Sequence, residues 1–226
     1  MSRIKPILFN TDMVRAILDG RKTATRRALK PQPPATSIMR EIRNNSFGWS
    51  FWEDAGIWHM VQAPYYQGDI LYVRETWNYG YIECSDIPES SEVWFEPVYK
   101  SDGHGSYIEA LSHYFYKADE DAPGLDIGMV WRPSIHMPKE AARIWLKVTD
   151  VRVEQLQDIK EEQAKAEGCI DTRGFIRSPE NEYMKLPHTA REQFAELWDS
   201  TIPLYGWNTN PWVWVIEFER CEKPEE

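Results

Sequence analysis

The spacing of apolar positions changes period several times along the chain, and each change marks an element. Ile7 to Phe9 is a short apolar run that reads as a strand. Behind Thr11 and Asp12, which suit a helix N-terminus, Val14, Ile17 and Leu18 recur at helical spacing, predicting a helix to about Asp19. Gly20 stands where a left-handed residue closes a helix. Alternation takes over at Ile70 to Thr76, with Ile70, Tyr72 and Arg74 on one side and Leu71, Val73 and Glu75 on the other. A longer alternating run from Ala142 to Val153 predicts a strand bulged at Thr149 and Asp150. Asp158 to Glu161 and Thr189 to Glu192 have capping-box spacing. They predict one helix to Glu167, closed by Gly168, and another through Phe194, Leu197 and Trp198. The apolar run Trp212 to Phe218 predicts a closing strand.

Between these segments the pattern is less regular. Residues 31–67 are broken by prolines and read as an insertion with short strands such as Ile57 to Val61. Residues 79–130 show no sustained period and contain Gly103, Gly105 and Gly124; they read as a second insertion, a flap over a pocket. Pro133 and Pro138 make Trp131 to Pro138 a loop. The order of elements predicts a single α+β domain, a small mixed β-barrel with helices packed outside and two insertions.

Composition narrows the class. The 226 residues are 42% hydrophobic and 27% charged, as in globular proteins, and a charged residue interrupts every apolar run before it could span a bilayer. The opening MSRIKPILFNTD has no long apolar block, so the expected address is the cytoplasm, with no membrane partner. Cys84, Cys169 and Cys221 form no Cys-x-x-Cys pair, which argues against a disulfide framework and a structural zinc site. Eleven Trp with eleven Tyr and eight Phe suit a β-rich core, and a few could line a pocket for a flat ligand.

A net charge of −10 repels a phosphate backbone at long range. One stretch runs against that average: residues 21 to 30 hold Arg21, Lys22, Arg26, Arg27 and Lys30 and no acid. Lys22 and Thr25 are three apart there. They would share a face on a turn-like path and face apart on an extended one, and a loop just past Gly20 permits the former. A threonine hydroxyl needs an adjacent base to attack a carbonyl, and a lysine can supply it when burial or neighbouring cations depress its pKa, as Arg21, Arg26 and Arg27 would here. A solvated basic loop would use the same residues.

The string ILDGRKTATRR resembles the signature of the ASCH family, Gly-x-Lys-Thr-x-Thr-x-Arg, which stands here as Gly20, Lys22, Thr23, Thr25 and Arg27. GDILYVRETW, IWLKVTDVRVEQLQDIKEEQAKAEG and WVWVIEF are similar to later family segments in the same order, so the likeness covers about half the chain. The longer, Trp-rich build resembles prophage-associated and metagenomic members. The resemblance implies a PUA-like barrel. Through its YqfB-type branch it also implies hydrolysis of N4-acetylcytidine to cytidine and acetate by a Lys, Thr and Glu triad. Motif for motif, these are Lys22, Thr25 and Glu167, with Glu161 and Glu162 as competitors in the same helix. Glu167 is preferred because a carboxylate at a helix C-terminus opposes the macrodipole and so invites another explanation.

A planar pyrimidine needs a stacking wall and polar edge contacts. Tyr72 and Trp77 are candidates for the first, and Arg74, Glu75 and His136 for the second. Arg27 joins them as a nearby cation for the developing oxyanion. The expected partner is a nucleoside or free base. The alternatives are an RNA-binding PUA-like module and a ribonuclease using the same basic loop. Charge favours the hydrolase, because outside residues 21 to 30 acids outnumber bases and leave no continuous basic surface. No metal or cofactor is expected, since the His-x-Glu and Cys-x-x-Cys of zinc cytidine deaminases are absent from the sequence.

Overall fold

The computed structural model describes residues 3–33, 38–42, 48–52, 58–83, 98–101, 107–119, 130–173 and 188–225. Its strands are β1 (Ile4–Leu8), β2 (Ala24–Ala28), β3 (Ile38–Ile42), β4 (Gly48–Trp52), β5 (Trp58–Gln62) and β6 (Ile70–Arg74). They continue with β7 (Trp77–Glu83), β8 (Val98–Ser101), β9 (Tyr107–Tyr116), β10 (Trp145–Gln155) and β11 (Trp212–Cys221). The helices are α1 (Thr11–Leu18), α2 (Glu161–Ala166) and α3 (Ala190–Thr201). The fold is mixed α+β on a mostly sheet core. The largest sheet has the order β1-β6-β10-β11-β2. Arg3 O accepts from Ile70 N and Phe9 N donates to Arg74 O, so β1 and β6 advance together in parallel, whereas β11 is antiparallel to both β10 and β2. The expected barrel is not what forms among the described residues: the sheet is open, with β1 and β2 at its edges.

The chain divides into two compact units. Met1–Lys5, Ala16–Leu71 and Ile144–Glu226 make the first, and Pro6–Arg15 and Tyr72–Arg143 the second. In the first unit β11 lies between β10 and β2, and its Val213, Trp214, Val215 and Ile216 are all buried, as a strand covered on both faces requires. The register of β10 against β11 shifts between Val148 and Asp150, the bulge that the sequence predicts. Leu156, Ile159, Ala164, Ala190, Phe194 and Trp198 form one apolar cluster with Val213 and Val215, which joins α2 and α3 to the sheet. Thr189 and Glu192 form the predicted capping box of α3, Glu192 N donating to Thr189 Oγ1 at 3.0 Å and Thr189 N to Glu192 Oε2 at 2.8 Å. The other box does not form. Asp158 ends a 3-10 turn, Lys160 N donates instead to Gln163 Oε1, and the Glu161 carboxylate accepts from Ala190 N and Arg191 N at the start of α3. β3, β4 and β5 pair antiparallel in that order in a separate three-stranded sheet.

In the second unit β7, β9 and β8 form an antiparallel sheet in that order, regular where the sequence shows no sustained period. Asn10 Oδ1, rather than Thr11 or Asp12, caps α1 by accepting from Met13 N. The predicted loop at Trp131 to Pro138 contains a 3-10 turn at Ser134–His136. Ile57, Cys84, Gly103, Gly105 and Gly124 lie outside the described residues. Among the described residues no helix is long and apolar enough to cross a membrane.

Candidate active site

The basic stretch after α1 is extended. Gly20, at φ +73°, turns the chain out of the helix, and the backbone amides of Arg21 and Lys22 both donate to Ala16 O at 2.9 Å. Lys22 then bridges Glu167 in antiparallel fashion, Thr23 N donates to Ala166 O at 2.8 Å, and Thr23 O accepts from Phe218 N at 2.9 Å. From there the chain runs into β2. The turn-like path that would set Lys22 and Thr25 on one face is thereby replaced by a strand, in which Lys22, Ala24 and Arg26 share one face and Thr23, Thr25 and Arg27 the other. The contacts agree, because Lys22 and Arg26 reach the same carboxylate.

That carboxylate is Glu167. Its Oε2 accepts from Lys22 Nζ at 2.8 Å and its Oε1 from Arg26 Nη1 at 3.2 Å. The Lys22 amine also donates to Glu167 O and Ala24 O, each at 2.9 Å, so three acceptors match an ammonium's three donors. Ala24 O belongs to the peptide joining Ala24 to Thr25. The amine is therefore anchored at the backbone beside Thr25. Lys22, Thr25, Arg26 and Glu167 are all buried.

Glu167 is separated from its competitors by what each touches. Glu161 caps α3, and Glu162 is an exposed partner of Lys165. Glu167 follows the last turn of α2, where its carboxylate meets two cations instead of the adverse end of the helix dipole. Gly168 makes this approach possible. Its φ is +96°, and a Cβ there would lie 2.9 Å from Ala16 Cβ and 3.4 Å from Lys22 Cβ.

Burial pushes the Lys22 ammonium below its ordinary range, Glu167 opposes that, and Arg27 adds to it. Burial also lowers the half-buried Arg27, against the pull of Tyr65 and Glu167. Tyr65 is raised by burial, with Arg27 acting the other way. Burial and the neighbouring Glu167 push the Cys169 thiol up to about 12. Tyr65 and Cys169 are site neighbours that sequence reasoning missed, and Arg26, expected only as a cation beside Lys22, also meets Glu167. Arg26 lies one position from the motif arginine, and only the register of β2 shows that it turns inward.

The remaining predicted residues, Tyr72, Arg74, Glu75, Trp77 and His136, belong to the second unit. Tyr72 is half-buried and His136 exposed at the end of its 3-10 turn. Arg74 Nε donates to Met137 O at 2.7 Å. Glu75 is buried and takes Arg143 Nε at 3.0 Å and Nη2 at 3.1 Å, while Arg143 also binds Asp119. Burial raises Glu75 despite Arg143. Trp77 is also buried, with the Arg132 guanidinium 5.3 Å from its ring centre and the Tyr114 ring at 5.9 Å, which is packing rather than an open stacking wall. Among the described residues no group of three or more His, Cys, Asp or Glu is placed to hold a metal ion. Comparison with protein-family models, curated proteins and solved structures finds no match to this chain.

Proposed function

We propose that this chain is an amidohydrolase of the ASCH type, PUA-like in ancestry, that cleaves the N4-acyl amide of acylated cytidine or cytosine. The observation that carries the reading is the buried Lys22 amine, paired with Glu167 and anchored on the carbonyl that leads into Thr25. A buried, charge-coupled lysine with a lowered pKa is the kind of group that serves as a base.

The chemistry is acyl transfer. Neutral Lys22 takes the proton of the Thr25 hydroxyl as its oxygen bonds to the acyl carbon. The amide C–N bond then breaks, the exocyclic nitrogen leaves with a proton returned from Lys22 through or beside Glu167, and water cleaves the acyl-threonine to release the acid. The strand path sets a condition on the first step. The amine must give up one of its three acceptors and turn its lone pair toward the other face of β2. Arg27, half-buried on the face that alternation gives to Thr25, is the cation available to the oxyanion.

The test is purified protein with N4-acetylcytidine and longer N4-acyl analogues, followed by loss of the acylated chromophore, beside Lys22→Met, Thr25→Ala, Thr25→Ser and Glu167→Gln. Turnover by the wild type and by Thr25→Ser, lost in Thr25→Ala by about a hundredfold or more, is the expected result. Unchanged turnover in Thr25→Ala removes the nucleophile assignment. No turnover on any acyl size, with salt-dependent binding to structured RNA, moves the reading to an RNA-binding module.

A further inference from the structure

Two buried cations share one buried carboxylate. The side chains of Lys22, Glu167 and Arg26 are 0%, 4% and 0% exposed, and Glu167 gives one oxygen to each cation. Arg26 Nη2 reaches Glu154 Oε2 at 3.2 Å, and the other Glu154 oxygen accepts from Arg152 Nε at 2.6 Å. Arg152 in turn binds Asp150 and Glu217. Charges thus alternate outward from Lys22, and the outer anion Glu154 is both partly solvated, at 21% exposure, and shared.

The inner trio of Lys22, Glu167 and Arg26 carries one excess positive charge. In a low-dielectric interior that excess is costly, and a guanidinium cannot shed a proton to relieve it, whereas an ammonium can. The other groups facing Lys22 do not restore the balance, because Arg27 is a further cation and Cys169 is a buried thiol held protonated. We infer that Arg26 is the positioning residue that makes Lys22 available as a base: by holding the second oxygen of Glu167, it denies the amine a counter-ion of its own. The inference rests on the reading of Lys22 as the base of an amide-cleaving site. Proton loss to solvent turns the trio neutral and leaves the amine with two N–H donors and a lone pair. Arg26 gains little from the arrangement itself. Its Nε is buried without a hydrogen-bond partner among the described residues, and the Phe194 ring centre lies 5.8 Å from its guanidinium carbon.

The experiment is an NMR titration of the Lys22 side chain in folded protein, with the signal assigned by its loss in Lys22→Met. The wild type is expected to titrate below an ordinary lysine. Arg26→Gln leaves Lys22 and Glu167 as a balanced pair and should raise the midpoint by about one pH unit or more, a tenfold change in proton affinity. Arg26→Lys keeps the cation and should stay near the wild type. Glu154→Gln strips Arg26 of its other anion and should lower the midpoint. An unmoved midpoint in Arg26→Gln, or an equal rise in Arg26→Lys, overturns the inference. If Arg26→Gln does not fold, an unmoved midpoint in the partly exposed Glu154→Gln overturns it instead. These readouts separate the two claims. A protein inert on every acylated cytosine but showing the shifts refutes the proposed activity and leaves the electrostatic role of Arg26 intact, and turnover with unmoved midpoints does the reverse.

Discussion

Replacing Glu167 by Gln keeps the shape of the side chain and removes only its charge, so it isolates what the buried anion does. In the native protein that anion faces Lys22 at 2.8 Å and Arg26 at 3.2 Å, all three side chains being nearly inaccessible. Breaking a buried ion pair from one side costs about 3–5 kcal/mol, because the remaining charge stays desolvated. The low end applies here. Lys22 keeps the carbonyls of Ala24 and Glu167, and Arg26 keeps Glu154. With a urea slope of about 3 kcal/mol/M, a loss of about 3 kcal/mol lowers the midpoint of denaturation by about 1 M. Glu162→Gln, on the same helix but exposed, should change it by less than about 0.2 M. The loss should also shrink at high pH. Lys22 titrates lower folded than unfolded, so the unfolded chain binds more protons in the window between the two values, and stability rises with pH across it. Removing Glu167, which opposes the depression, widens that window downward. A midpoint within about 0.3 M of wild type at pH 7, or the same shift in Glu162→Gln, refutes the claim that Glu167 is the counter-ion of a buried pair.

Gly168→Ala meets a left-handed backbone and an Ala16 methyl at 2.9 Å, so it should destabilise by about 1–3 kcal/mol. For a chain of this size that is a fall of roughly 2–10 °C in thermal midpoint, read by circular dichroism. In the second unit, burial raises Glu75 despite Arg143, so Glu75 favours folding most below the ordinary glutamate value, and that contribution is lost as pH rises through the raised value. Glu75→Gln should therefore flatten the fall in thermal midpoint just above pH 4.5, and an unaltered profile counts against a perturbed Glu75.

Several strands were legible because they obey simple periods. The alternation in β6 puts Leu71, Val73 and Glu75 on one face, which the structure buries, and the polar pair at Thr149 and Asp150 marks the bulge in β10. β9 was opaque for a physical reason. It carries aromatic residues on both faces, Tyr114, Phe115 and Tyr116 following one another, so a binary apolar pattern has no contrast to show there. The Asp158 cap failed because two acceptors competed, and Gln163 with the α3-bound Glu161 won. Within the site, Lys22 and Glu167 could be paired from motif and helix end. Arg26 was legible only as a cation near Lys22; that it turns inward onto Glu167 is set by the register of β2 with β11, a contact some 190 residues away along the chain.

The charged trio is also redundant as a fastening. The end of α2 is already tied to the edge of β2 by the backbone, through Thr23 N on Ala166 O and the Lys22 to Glu167 bridge, while Lys22 N is held by Ala16 O. A buried ion pair seldom stabilises more than apolar side chains of the same volume, and this one holds two cations on one acid and leaves Arg26 Nε unbonded among the described residues. Stability alone would be served as well by methionine at 22 and glutamine at 167. A chain that keeps the costlier set keeps what the apolar set lacks, an amine that can lose its proton in a buried site. On this argument Lys22→Met with Glu167→Gln should recover most of the stability that Glu167→Gln loses alone, while amide cleavage stays abolished. If the double variant is as unstable as Glu167→Gln, the trio is structural, and its claim to chemistry lapses.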